Sequence, residues 1–178
     1  MLKHRIARLS LAAGTALLLM LGAASAQQPE QDGPSRLSLE QANVIVAQAI
    51  ERARELELRP LTVVVLDESG NLKAMQREDG ASMFRFDVAT GKAWASVAMG
   101  ASSRALAERA RENPNFFITL AATADGRFLP QTGGVLIRNA AGEILGAAGA
   151  SGAAGEEDEA AVIYGIEQAG LVPDVDRQ

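Results

Sequence analysis

Residues 133–159 read GGVLIRNAAGEILGAAGASGAAGEEDE, and the reading of this stretch decides the fold. Two apolar runs, 135–138 and 143–150, flank Asn139-Ala140-Ala141-Gly142, which has the composition of a tight turn. Apolar runs joined by such a turn predict a β-hairpin. The second strand is expected to stop at Ser151-Gly152, where an acidic helix start follows. The strand is small-sided: Gly146, Ala148 and Ala150 alternate on one face, Ala147 and Gly149 on the other. Small residues on a strand let a helix backbone, a partner chain or a ligand approach closely.

Working outward, the acidic start opens a helix over about 156–169, closed by Gly170 and Pro173. Upstream, FRFDVATGKAWASVAM at 84–99 reads as an alanine-rich helix with Val88, Lys92, Ala95, Ser96 and Met99 on one stripe. A short helix capped by Ser102 or Ser103 follows and ends before Pro114. Residues 115–129 are mixed, with Phe116, Phe117 and Phe128 available for core or pocket walls. Toward the N-terminus, Ser38-Leu39-Glu40-Gln41 fits a capping box. Leu39, Ala42, Ile45, Val46, Ala49, Ala53 and Leu56 then recur at helical spacing until Pro60. LTVVVLD at 61–67 is too continuous for a one-sided strand and is expected inside a sheet. A turn at 68–71 joins it to LKAMQR at 72–77, a second hairpin. The order is helix, hairpin, helices, hairpin, helix. Strands joined by short turns are antiparallel, so one antiparallel sheet with helices on its faces is expected, an α+β sandwich.

Composition narrows the function. Lys3, His4, Arg5 and Arg8 precede an apolar run and Ala24-Ser25-Ala26, the pattern of a signal peptide cleaved after Ala26. The expected division is a signal peptide at 1–26, a disordered linker at 27–36, one domain at 37–173 and a tail at 174–178, with a periplasmic or secreted destination. Removing Lys3, Arg5 and Arg8 from 17 basic residues leaves 14 against 22 acidic ones, a net charge of −8. That balance argues against nucleic acid and anionic membrane surfaces as partners. The chain has no cysteine, and its one histidine is His4. The expected mature chain therefore lacks the residues of the usual zinc sites and of Ser-His-Asp or Cys-His centres. Haem ligation by His or Cys is excluded in the same way, leaving Met or Tyr.

The candidate chemistry centres on Lys92, which shares the expected mature chain with one other lysine, Lys73. On an apolar stripe its ammonium would be partly desolvated and matched to an anion, or would act as a base. The bland alternative is a snorkelling surface lysine. Asp79, before Gly80, reads as a turn-former or as a carboxylate at a pocket mouth, paired with Arg77 or Lys92. Gly133-Gly134 is either a positive-φ turn or a pair of N–H groups facing a ligand. Glu156, Glu157, Asp158 and Glu159 suit the positive end of a helix dipole, with Glu157 or Asp158 free to pair with Lys92. They lack the spacing of a calcium loop, and no metal site is expected.

The combination of VVVLDESGNLKAMQREDGA, Lys92-Ala93 and GGVLIRNAAGEILGAAGASGAAGEEDEAA resembles the GlcG/HbpS family of haem-binding-like proteins and is similar to the C-terminal domain of PduO-type proteins, over about residues 37–170. The resemblance implies a profilin-like α/β/α sandwich around a five-stranded antiparallel sheet, and a homo-oligomer, ring-like or octameric. It implies ligand-binding positions at Arg77, Asp79, Lys92, Gly133, Gly134, Ser151, Gly152, Glu157 and Asp158. Some relatives are exported and bind haem, with proposed roles in haem or redox sensing, through histidine. Here the remaining iron ligands would be Tyr164, Met75, Met83 or Met99. The leading expectation is an exported, oligomeric small-ligand-binding protein, its pocket between the central helix and the second hairpin, for haem held through its propionates or for a small carboxylate. Two readings stand beside it: a lyase- or isomerase-type enzyme using Lys92 and Asp79 on hydroxy or oxo acids, and a structural assembly protein.

Overall fold

The structure is a computed structural model and describes residues 35–175. The expected signal peptide and most of the expected linker lie outside the described residues. The elements are α1 (Leu39–Glu55), β1 (Thr62–Asp67), β2 (Leu72–Arg77), α2 (Phe84–Met99), α3 (Ser103–Glu112), α4 (Pro114–Thr123), β3 (Gly134–Arg138), β4 (Ile144–Ser151), α5 (Gly155–Gln168) and β5 (Val172–Asp174). The strands form one sheet in the order β2-β1-β4-β3-β5, antiparallel at every pair. This is the α+β sandwich that the sequence predicts.

Local chemistry explains the elements. Ser38 caps α1 through its side chain on the Gln41 N–H, and the Gln41 side chain returns to the Ser38 N–H, which makes a reciprocal capping box. β1 is paired on both edges and buried on both faces, which its unbroken β-branched run requires. Two elements depart from the sequence reading. Residues 114–123 form a helix, started by Pro114 at its first turn under an Asn113 cap. β5, at residues read as a helix stop, supplies the fifth strand that the family resemblance implies; it lies on the sheet edge, where the missing N–H of Pro173 is tolerated.

The sheet separates two cores. On one face Val63, Val65, Val135, Ile137, Ala148 and Ala150 pack under α1 and α5. On the other, Val64, Leu66, Leu136 and Ala147 meet Ala89 and Ala93 of α2. A third cluster, Ala95, Leu106, Phe117, Ala124 and Phe128, joins α2 to α3 and α4. The small side chains of β4 serve helix approach. A Cβ on Gly149 would stand 2.3 Å from the Ala89 carbonyl oxygen, so α2 lies on the sheet with its backbone almost in contact. The face of α2 that meets the sheet is rotated slightly from the predicted stripe: Ala89, Lys92, Ala93 and Ser96 are buried, while Val88 and Met99 sit at its margin.

Candidate functional site

Lys92 enters the interior from the middle of α2, and its side chain is 6% exposed. Its Nζ donates to the Asp158 Oδ2 and to the Ala150 carbonyl, each at 2.9 Å. Asp158, in the first turn of α5, also accepts the Ala153 N–H on Oδ1 at 3.0 Å. One ion pair therefore ties together α2, the end of β4, the loop after it and α5. A buried ammonium needs a counter-charge and further hydrogen bonds, and this one has Asp158 for the first and the Ala150 carbonyl for the second.

Beside the pair lies a cavity of about 300 Å³, lined mainly by polar groups. Arg85 and Val88 of α2, Arg111 of α3, Gln131 and Thr132 of the loop before β3, and Ser151 of β4 all contribute. Arg85 Nη1 donates to Ser151 Oγ at 3.3 Å. Asp158 neutralises Lys92, so the uncompensated positive charge comes from Arg85 and Arg111. Neither of these is ion-paired among the described residues. Glu156 is the other acid on the wall. Guanidinium groups with nearby hydroxyls and an amide suit a carboxylate, which accepts bidentate hydrogen bonds from arginine.

The sequence candidates divide between this site and other places. Lys92, Ser151 and Asp158 line the cavity. Gly133, at φ +119, makes room for the amine: a Cβ there would lie 2.7 Å from Lys92 Nζ. Gly134 gives its N–H to Ser103 Oγ at 2.7 Å, which leaves no donor for a ligand. Gly152 packs on Pro60 and Leu61. Glu157 is exposed and accepts the Ala154 N–H as a helix cap. Arg77 is exposed, with Nη1 on the Ala81 carbonyl at 2.6 Å. Asp79 is exposed in the turn after β2, and the acid that holds Lys92 is Asp158. The expected Lys92–Asp79 couple is thereby corrected, and with it the acid–base arrangement built on it. Sequence reasoning missed Arg85 and Arg111, which resemble ordinary solvated arginines. The available signal was helical spacing, since Arg85, Val88 and Lys92 stand at i, i+3 and i+7.

The residues suit the acid groups of haem better than its iron. The cavity is at the small end for a ligand site and polar, where a porphyrin needs a wide apolar slot. None of the four named iron ligands lines it. Tyr164 stands on the far face of the sheet under Arg52, 5.4 Å from its ring centroid. Met99 packs toward α3 and α4, Met75 lies on β2, and Met83 is 83% exposed before α2. Among the described residues no cluster of acids or histidines could hold a metal ion, and no helix is long and apolar enough to cross a membrane.

The sequence model of a family described as haem degrading protein HbpS-like matches residues 37–167. Among solved structures, a haem complex of PduOC is similar at 25% identity and TM-score 0.68, over 76% of this chain and 96% of that one. A double mutant of HbpS from Streptomyces reticuli is similar at 26% identity and TM-score 0.65, over 92% of this chain and 97% of that one. A further HbpS structure shares 28% identity at TM-score 0.65, over 80% and 96% of the two chains. No curated protein matches the chain significantly.

Proposed function

The chain belongs to the HbpS-like family, and from that premise we propose that it binds a small carboxylate-bearing ligand of the haem class through the cavity beside Lys92. The observation that carries the reading is the pair of arginines, Arg85 and Arg111, which line a polar cavity with Ser151 and Thr132 and form no ion pair among the described residues, so that three basic side chains face two acidic ones, Glu156 and Asp158. Arg85 and Arg111 hold the acid group, and Ser151, Thr132 and Gln131 complete its hydrogen bonds. Lys92 is a positioning residue: its charge is spent on Asp158, and it fixes the wall that the ligand meets. The apolar part of the ligand runs from Val88 on the cavity wall outward to Phe84, one helical turn away and 68% exposed. Haem, when bound, supplies a redox-active iron, and the cavity residues supply the anchor for its propionates.

Absorbance titration with haemin tests this reading. The native chain is expected to give a saturable Soret change, and Arg85→Ala is expected to weaken it at least about tenfold, the loss of one charge-assisted contact. A titration unaltered by Arg85→Ala overturns it.

The proposal extends to an exported, self-associating protein. The basic and apolar residues before Ala26 support export. Exposed Met83 and Phe84, adjacent at the start of α2, and exposed Phe116 and Ile118 on α4 support self-association, because apolar side chains exposed side by side suit contact surfaces. N-terminal sequencing of the native protein and sedimentation equilibrium test the two parts. An N-terminus upstream of Gln27 or a monomer at micromolar concentration would refute them.

A further inference from the structure

We propose that Glu156 sets the charge of the acid group that the cavity admits, restricting it to a single negative charge and excluding phosphate esters. This rests on the carboxylate-binding reading above and narrows the substrate class of that same cavity. Residues 156–159 carry the inference. All are acids, and three of them have a partner inside the fold. Glu157 accepts the Ala154 N–H, Asp158 holds Lys92 and the Ala153 N–H, and Glu159 pairs with Arg104. Glu156 is exposed, forms no ion pair among the described residues and lines the cavity.

That position works against an anion. α5 opens at the cavity wall, where Gly155 and Glu156, its first residues, both contribute. A helix start offers free N–H groups and a positive dipole end, the features that hold phosphate in built sites. A carboxylate side chain placed there offsets their attraction. The preference of the helix for acids in its first turn is already met by Glu157 and Asp158. The effect of Glu156 therefore falls on what enters the cavity.

Counting charges gives the direction. Lys92 and Asp158 cancel as a hydrogen-bonded pair. Arg85 and Arg111 against Glu156 leave one net positive charge on the wall. A carboxylate neutralises it. A phosphate ester carries a charge of about −1.5 to −2 near neutral pH, so its second charge finds no counter-charge. The cost of dehydrating an ion meanwhile rises as the square of its charge. A propionate stays within this limit, and nucleotides and other phosphorylated cofactors exceed it.

The test uses two tetrahedral anions of similar shape and different charge, methanesulfonate and sulfate, as competitors of haemin for the full chain at constant ionic strength. Methanesulfonate is expected to displace haemin at a concentration about fivefold below that of sulfate, the scale of one partly exposed charge pair. Glu156→Gln is expected to close or invert that gap. Glu167→Gln, which removes the same charge near the other end of α5, is expected to leave it unchanged. Sulfate competing as well as methanesulfonate in the native chain, a gap that survives Glu156→Gln, or one that closes equally in Glu167→Gln overturns the charge limit. The cavity reading stands in each of these cases if Arg85→Ala still weakens haemin. Failure of both anions to compete also overturns the charge limit, and haemin binding insensitive to Arg85→Ala overturns the two together.

Discussion

Replacing Lys92 with methionine removes an ammonium from a place where its partner cannot find water. The Asp158 side chain is 2% exposed, and Oδ2 has Lys92 Nζ as its partner at 2.9 Å. The Ala150 carbonyl loses a donor in the same change. Removing one member of a buried, hydrogen-bonded pair costs about 3–5 kcal/mol, mostly from the stranded charge. For a domain of this size 1 kcal/mol is roughly 4 °C in Tm, so a fall of about 12–20 °C is expected. Thermal and urea unfolding followed by circular dichroism measure it. The double change Lys92→Met with Asp158→Leu should recover most of the loss, because an apolar pair of similar volume replaces an ion pair at little net cost. Recovery should stop short by about 1 kcal/mol, since the Ala153 N–H keeps no acceptor. A single Lys92→Met that costs under about 1 kcal/mol would show a solvated pair and refute the reasoning.

Other outcomes follow from the same contacts. Gly149→Ala should destabilise by about 1–3 kcal/mol or more, because its Cβ meets the Ala89 backbone oxygen at 2.3 Å and backbone cannot swing aside; chemical denaturation checks this. Arg104→Ala should cost more than an ordinary surface pair, above about 1 kcal/mol, because it strands Glu159, whose side chain is 1% exposed and whose Oε1 already has no partner; equilibrium unfolding in urea is the measurement. Arg85→Ala should shift stability by no more than about 0.5 kcal/mol while weakening ligand, so a large fall in Tm would count against its assignment to binding.

Much of the architecture is legible because several local signals agree. The Ser38–Gln41 box, the unbroken valines of β1 and the Asn139–Gly142 turn each specify one local structure, and each is found. α4 escapes because its residues carry no period: Phe117 is buried between exposed Phe116 and Ile118. β5 escapes because Pro173 reads as a terminator when only three residues of edge strand are at stake. At the site, Lys92 stands out as a charge on an apolar stripe. Its partner is narrowed in the sequence to Glu157 or Asp158 and no further, because both sit among four consecutive acids that a helix start already explains, and burial alone separates Asp158 and Glu159 from Glu156 and Glu157. Arg85 acquires meaning once β4 brings Ser151 beneath it.

The most direct test of the account compares haemin with metal-free protoporphyrin IX in binding to the native chain and to the Arg85→Ala, Arg111→Ala double variant. Anchoring through acid groups predicts affinities for the two porphyrins within about threefold of each other, and a loss of about a hundredfold for both in the variant. Binding of haemin alone, unaffected by removal of the two arginines, would contradict it.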